Sequence, residues 1–346
     1  MDYLNLLKPD ARTIVIAEAG INHDGDINKA LRMVDVAAQS GADYVKFQSF
    51  QAKKLVTPDA LTSSYIKEGS KQGESFENLL ARLQLSPEDH YKLKAHCDSS
   101  GIKFLSTAFD AESFDFLLQF DPGVVKVASG DLTNLPLLAV MARAGLPMIV
   151  STGMATLGEI EDAIRVIEGE GNSQIVLLHC ISWYPAEIKT TNLRYMTTLD
   201  SAFPYPVGYS DHTLGITMPV AARALGAKVI EKHFTLDKTE FGPDHAASIE
   251  PDELNAMVKA LREVEEGLGT SHRVFGEKEI GQRKVHRRSI VIADDLVAGT
   301  VISEEHLVIK RPGTGIPPKD MDKILGRKIT RSYKKNELLA LNDLAY

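Results

Sequence analysis

Two lysines and two histidines stand out by where they fall in this 346-residue chain. Lys46 and Lys126 lie in short apolar runs, YVKFQSF and VVKVASG, where a lone ammonium would be costly to bury. Hydroxyl residues end neighbouring runs: Thr107, Ser129, Ser151, Ser182 and Ser210. Point charge from lysine with donors from hydroxyls describes a phosphate site. The alternative is that each lysine pairs with a carboxylate such as Glu18 or Asp131. His212 and His233 close two successive runs, and their rings could converge on a divalent transition ion, which would require both to be neutral. The alternatives are a general base, or core histidines bonded to backbone. A third chemistry is a Schiff base between either lysine and a carbonyl substrate, which would make the chain an aldolase.

These residues need a scaffold that gathers strand ends. Eight runs read as buried strands: 13–20, 44–50, 102–109, 124–130, 147–153, 174–180, 206–212 and 228–235. They are rich in Val, Ile and Phe and apolar on both faces, as parallel strands under two covers are. Helical stretches separate them at 28–40, 111–120, 157–168, 215–225 and 251–266, with another opening at Ser86-Pro87-Glu88-Asp89. Eight strand–helix repeats in about 250 residues predict a (β/α)8 TIM barrel, with a doubly wound open sheet as the alternative. In a barrel the active site forms at the C-terminal strand ends. Those ends here carry Glu18 and Asn22-His23-Asp24, Lys46 and Gln48, Thr107, Lys126 and Ser129, Ser151, Ser182 and Tyr184, Ser210-Asp211-His212, and Glu231-Lys232-His233. From 270 the pattern changes. We expect a barrel domain over 1–269, a polar linker over 270–285, and a small domain of short strands over 286–346, near the lower size limit for independent stability.

Composition narrows the function classes. The formal charge of −8 weighs against a nucleic-acid partner, which needs a basic footprint. No run reaches the ~18 apolar residues of a membrane span, and the N-terminal stretch lacks the n- and h-regions of a secretory signal. The two cysteines, Cys97 and Cys180, cannot build a disulfide framework. A cytoplasmic setting is expected.

Taken in order, IAEAGINHDGD, GADYVKFQSF, FLSTAFD, KVASGDLTNLPLL, IVSTGMATLGEIE, LLHCISWYPA, GYSDHT, EKHFTLD and GPDHAASIEPDEL resemble the sialic acid (nonulosonate) synthases. The segments KRPGTGI and LGRKI resemble the C-terminal antifreeze-like (SAF) domain of that family. The resemblance implies a metal-dependent transferase, manganese above magnesium or cobalt. It would condense phosphoenolpyruvate with an N-acylated amino sugar, N-acetylmannosamine by preference, to give N-acetylneuraminate and phosphate. Legionaminate or pseudaminate synthesis from a 2,4-diacetamido-trideoxyhexose is the alternative. It further implies that Lys46, Thr107, Lys126, Ser129, Ser151, Ser182 and Ser210 hold phosphoenolpyruvate. His212 and His233 would hold the metal and serve catalysis. Gln48, Tyr184, Glu231 and Asp244 would contact the sugar together with Glu18, which is also the candidate for guiding protons. Arg311 would reach the sugar's acyl group from a partner subunit, which implies a domain-swapped homodimer. Asp131 replaces the usual Glu of an SGE motif, which puts a direct role for it in doubt.

Overall fold

The computed structural model describes residues 1–8, 10–57, 60, 62, 66 and 69–345. The chain divides into two compact units, Met1–Gly269 and Thr270–Tyr346.

The first unit is a closed barrel of eight parallel strands in sequence order. They are β1 Ile14–Gly20, β2 Tyr44–Ser49, β3 Lys103–Ala108, β4 Val125–Val127, β5 Met148–Ser151, β6 Ile175–Cys180, β7 Val207–Asp211 and β8 Val229–His233. β1 pairs with both β2 and β8, which closes the ring and excludes the open-sheet alternative. The expected helices form at Ile27–Gln39, Pro87–Ser100, Ala111–Leu118, Leu157–Gly169, Thr217–Ala224 and Pro251–Leu268. Three more, Phe76–Leu83, Leu135–Ala142 and Tyr195–Ala202, were not foreseen. Leu135–Ala142 is apolar almost all round (LPLLAVMA), so it carries no helical periodicity to read. Phe76–Leu83 starts on a Ser75 cap and buries Leu79, Leu80 and Leu83.

Side chains alternate across each strand. Ile16, Tyr44, Leu105, Val124, Ile149, Val176, Leu178 and Val229 turn inward and fill the lower barrel, where Tyr3 and Leu6 of the N-terminal helical turn join them. Val15, Val45, Phe104, Val125, Val150, Leu177, Tyr209 and Ile230 turn outward onto the helices. The interior is tight: a Cβ on Gly208 would come within 2.4 Å of the Val229 carbonyl oxygen. One inward layer higher, the residues become polar, and that layer is the floor of the site.

The second unit has its own core of Ile290, Ile292, Leu296, Ile302, Ile316, Ile324, Ile329, Tyr333 and Leu339. Ser289–Ile292 pairs antiparallel with Leu307–Lys310, and Lys328–Ile329 with Leu344–Ala345. Segment 270–285, expected to be a linker, instead carries most of a helix, Glu277–His286, and belongs to this unit. Among the described residues no helix is long and apolar enough to cross a membrane.

Candidate active site

A cavity of about 400 Å³ opens at the C-terminal ends of the barrel strands. Its lining includes Glu18, Lys46, Gln48, Thr107, Lys126, Ser129, Ser151, Ser182, Tyr184, Ser210, His212, Glu231, His233 and Asp244. Every candidate from the first unit is therefore brought to one place. Arg311 lies in the second unit, exposed, in the turn after Leu307–Lys310. Asp131 does not line the cavity; it accepts a long 3.4 Å hydrogen bond from Asn134.

Two buried ammonium groups and two buried carboxylates make the floor. Lys46 Nζ lies 2.8 Å from Glu18 and 3.6 Å from Glu231, and donates to Thr107 Oγ1 at 3.1 Å. Lys126 Nζ donates to Ser151 Oγ at 2.7 Å and to the Val127 carbonyl at 2.9 Å, and lies 3.7 Å from Glu231. Glu231 also accepts from Ser210 at 3.0 Å. The carboxylate-pair reading of the lysines holds for Glu18 and adds Glu231, which lies near both ammonium groups. Burial, with Glu231 adding repulsion, raises Glu18 to about 7 despite Lys46. For Glu231 the burial penalty is outweighed by Lys126 and Lys46, and its pKa falls. Burial also lowers Lys126, whereas for Lys46 the adjacent Glu18 and Glu231 overcome burial and raise it.

A hydroxyl arc continues from this floor. A Cβ on Gly153 would sit 2.2 Å from Ser182 Oγ and 2.8 Å from Ser129 Oγ, so the glycine is what lets the backbone and two hydroxyls meet. Gly153 N–H donates to Ser129 Oγ at 3.1 Å.

The histidine pair stands on the β7–β8 side, with ring centroids 5.4 Å apart. Tyr184 lies against both rings, at 4.0 Å from His212 and edge-on to His233 at 5.5 Å. His212 Nδ1–H donates to the Ile181 carbonyl at 2.7 Å; burial disfavours its charged form, but the Cys180 sulfur beside it and that carbonyl outweigh burial and raise its pKa. Burial and the neighbouring cations hold His233 neutral, and its Nδ1 is a buried atom with no hydrogen bond among the described residues. Asp244 lies 3.8 Å from that nitrogen, its carboxyl pushed up to about 6 by burial. Imidazole and carboxylate donors suit a divalent transition ion by chemistry, but among the described residues the set whose ligand atoms converge within 4.8 Å is Asp24, Glu240 and His245, not this one.

Part of the cavity lining is apolar, from residues that follow β1, β2 and β3. Ile21, Leu55, Phe76, Leu79, Leu80 and Phe109 form it. Sequence reasoning missed these residues, because apolar side chains in a loop and a short helix give no signal that separates a binding wall from a core. Cys180 was also missed; it lines the cavity with Sγ 3.8 Å from His212 Nδ1.

Residues 33–273 match the NeuB family, and residues 287–345 match the SAF domain. The chain belongs to the NeuB family, the sialic acid (nonulosonate) synthases, whose members condense phosphoenolpyruvate with amino sugars. It is 44% identical over 343 residues to the N,N'-diacetyllegionaminic acid synthase of Legionella pneumophila, covering 97% of this chain and 96% of that one. It is 43% identical to the enzyme of the same name from Campylobacter jejuni, covering 95% and 99%. Among solved structures, an N-acetylneuraminic acid synthetase from Leptospira borgpetersenii, in complex with citrate, superposes with a TM-score of 0.71. It shares 34% identity, with 79% of this chain and 90% of that chain covered. The two legionaminic acid synthases match this chain at higher identity than the neuraminic acid synthetase does.

Proposed function

We propose that this nonulosonate synthase condenses phosphoenolpyruvate with 2,4-diacetamido-2,4,6-trideoxymannose, giving N,N'-diacetyllegionaminate and phosphate. The observation that carries the acceptor is the mixed lining of the cavity. Lys46, Lys126 and the hydroxyls suit a phosphorylated carboxylate, while Leu55, Phe76, Leu79, Leu80 and Phe109 of the same lining offer hydrocarbon to the acceptor. A sugar with a methyl at C6 and an acetamido group at C4 buries apolar surface there. A triol tail would lose water without replacing its hydrogen bonds. The names of the two legionaminic acid synthases support the same acceptor.

In this reading Lys46 and Lys126 take the charge of phosphoenolpyruvate, and Thr107, Ser129, Ser151, Ser182 and Ser210 orient it. Glu18, at about 7, accepts a proton as the trianion enters, because two carboxylates and a trianion would exceed the two ammonium groups. His212 and His233 would hold a divalent ion, manganese by preference, which when bound supplies Lewis-acid polarisation of the acceptor's C1 aldehyde. Carbon C3 of the enol attacks C1, water adds at C2, and the C2–O bond breaks to release phosphate. The sum is one phosphoenolpyruvate, one aldehyde and one water giving one 2-keto acid and one phosphate. Gln48, Tyr184, Glu231 and Asp244 orient the acceptor. Alignment of the two reactants supplies much of the acceleration.

Arg311 reaches the acceptor's acyl group from a partner subunit in this proposal, so the working form is a swapped homodimer. Support comes from exposed apolar side chains in the segments after β5 to β8, Met154, Trp183, Ile188, Leu214 and Phe241, each more than half exposed.

The test is phosphate release from phosphoenolpyruvate with manganese present, comparing the diacetamido sugar with N-acetylmannosamine. A higher kcat/KM with the diacetamido sugar is expected. A preference for N-acetylmannosamine would make the protein a neuraminate synthase. No release with either, together with borohydride trapping of a keto acid on a lysine, would favour the aldolase chemistry.

A further inference from the structure

Asn22, Asp24 and His245 lie outside the cavity lining, yet they sit in a connected set of buried polar contacts. The loop after β8 carries Asp244 and runs from Phe234 to Glu250, where the last barrel helix begins. Phe234 and Ile249, buried and bridged to each other, pin the two ends of the loop in the core, and the stretch between them is set by what its polar groups meet. Asn22 Nδ2 donates at 2.9 Å to both the Phe234 carbonyl and Ser248 Oγ, one at each end of the loop. Ser248 Oγ in turn donates to the carbonyl of Asp244 at 2.7 Å. His245 is fully buried; its Nδ1 lies 2.7 Å from Thr235 Oγ1, and its Nε2–H donates to the Asp24 carboxylate at 3.2 Å. Lys29, 6% exposed, bridges Asp24 at 2.5 Å to Glu240 of the same loop.

Asp24, Glu240 and His245 place their ligand atoms within 4.8 Å of one another, as a metal site would. The Lys29 ammonium already fills the position a cation would take. The cluster is therefore a clamp. Its shape is fixed by two backbone features. Asp24 sits at φ 55°, in the left-handed region that aims its side chain toward the loop. A Cβ on Gly242 would lie 2.7 Å from His245 Cδ2 and 3.1 Å from Asp24 Oδ1.

We propose that Asn22, Asp24 and His245 are positioning residues for Asp244: they tie the loop after β8 to the loop after β1 and so set the Asp244 carboxylate beside His233 at the acceptor end of the cavity. This rests on the reading of Asp244 as an acceptor contact. The side chain next to Asp244 in sequence thus points away from the cavity and anchors the one that points in.

The test is a double-mutant cycle on the full-length, manganese-loaded protein, using Asp24→Asn, Asp244→Asn and the pair, with His245→Gln as a second clamp variant. Asp24→Asn should raise the acceptor KM about tenfold and leave the phosphoenolpyruvate KM within about twofold. The pair should be no worse than Asp244→Asn alone, because a clamp has nothing left to position. Either clamp variant giving additive losses with Asp244→Asn, or raising both KM values equally in step with a lower Tm, overturns the proposal in favour of a purely structural role. Wild-type protein that turns over no amino sugar would overturn the proposed function, and this assignment with it. Additivity with an active wild type would overturn the clamp alone.

Discussion

Glu18, Lys46, Lys126 and Glu231 are four buried charges that sum to zero, and that balance makes testable demands. Removing one partner of a buried pair leaves the other uncompensated, at a cost of about 3–5 kcal/mol. Lys46→Met should therefore destabilise the protein by about that much, seen as a lower denaturation midpoint. Adding Glu18→Gln should restore most of the stability and none of the phosphoenolpyruvate turnover, which separates the structural from the substrate role of the lysine. A second demand concerns pH. Glu18 titrates at about 7 in the folded protein. If it must be protonated to admit the trianion, the Kd for phosphoenolpyruvate is flat below about pH 7 and rises by up to about tenfold per pH unit above it. Calorimetry in two buffers of different ionisation enthalpy should show proton uptake on binding near pH 7.5, and Glu18→Gln should abolish both the uptake and the slope. Full turnover by Glu18→Gln would remove the residue from any proton role in catalysis.

Among the elements, the helix Phe76–Leu83 adds something a minimal barrel lacks. It comes between β2 and the next barrel helix, and it turns Leu79 and Leu80 toward the cavity. One misplaced or missing hydrocarbon contact in such a wall changes selectivity by about 10–200-fold. Leu80→Ala is expected to lower kcat/KM for the diacetamido sugar about tenfold more than for N-acetylmannosamine, with the phosphoenolpyruvate KM unchanged. Equal loss on both sugars would show that the wall does not read the acceptor's tail. The strands divide their own residues just as sharply. On β7 and β8, Ser210, Glu231 and His233 face the cavity, as does His212 just beyond β7, while Asp211 and Lys232 face outward and pair at 2.6 Å. His179 of β6 likewise lies outside the cavity, 2.6 Å from the Thr191 carbonyl. Asp211 and Lys232 stood among the polar strand ends in the sequence.

For the whole molecule, the proposed swap predicts complementation between dead variants. Lys46→Met disables a barrel and Arg311→Ala disables the small unit's contribution. Mixed and refolded together, hybrid dimers would contain one site with both residues intact. Activity well above either parent is expected, and none would argue against a shared site. Arg311→Ala alone should raise the acceptor KM and leave the phosphoenolpyruvate KM in place.

The sequence alone determined the barrel and its polar mouth. Eight apolar runs of strand length, separated by capped amphipathic helices, leave few other ways to bury their surface, and parallel closure forces their C-terminal ends to one side. That is why Lys46, Thr107, Lys126, Ser151, Ser210, His212, Glu231 and His233 could be named together before any contact was visible. Only the tertiary structure decided which strand-end residues face in, that Glu231 lies near both lysines, that apolar residues join the same lining, and that Asp24 reaches His245 across 221 positions of chain. Periodicity records how a residue relates to its own element. It carries no information about which distant element closes over it, and burial, charge balance and acceptor selectivity are all set by that closure.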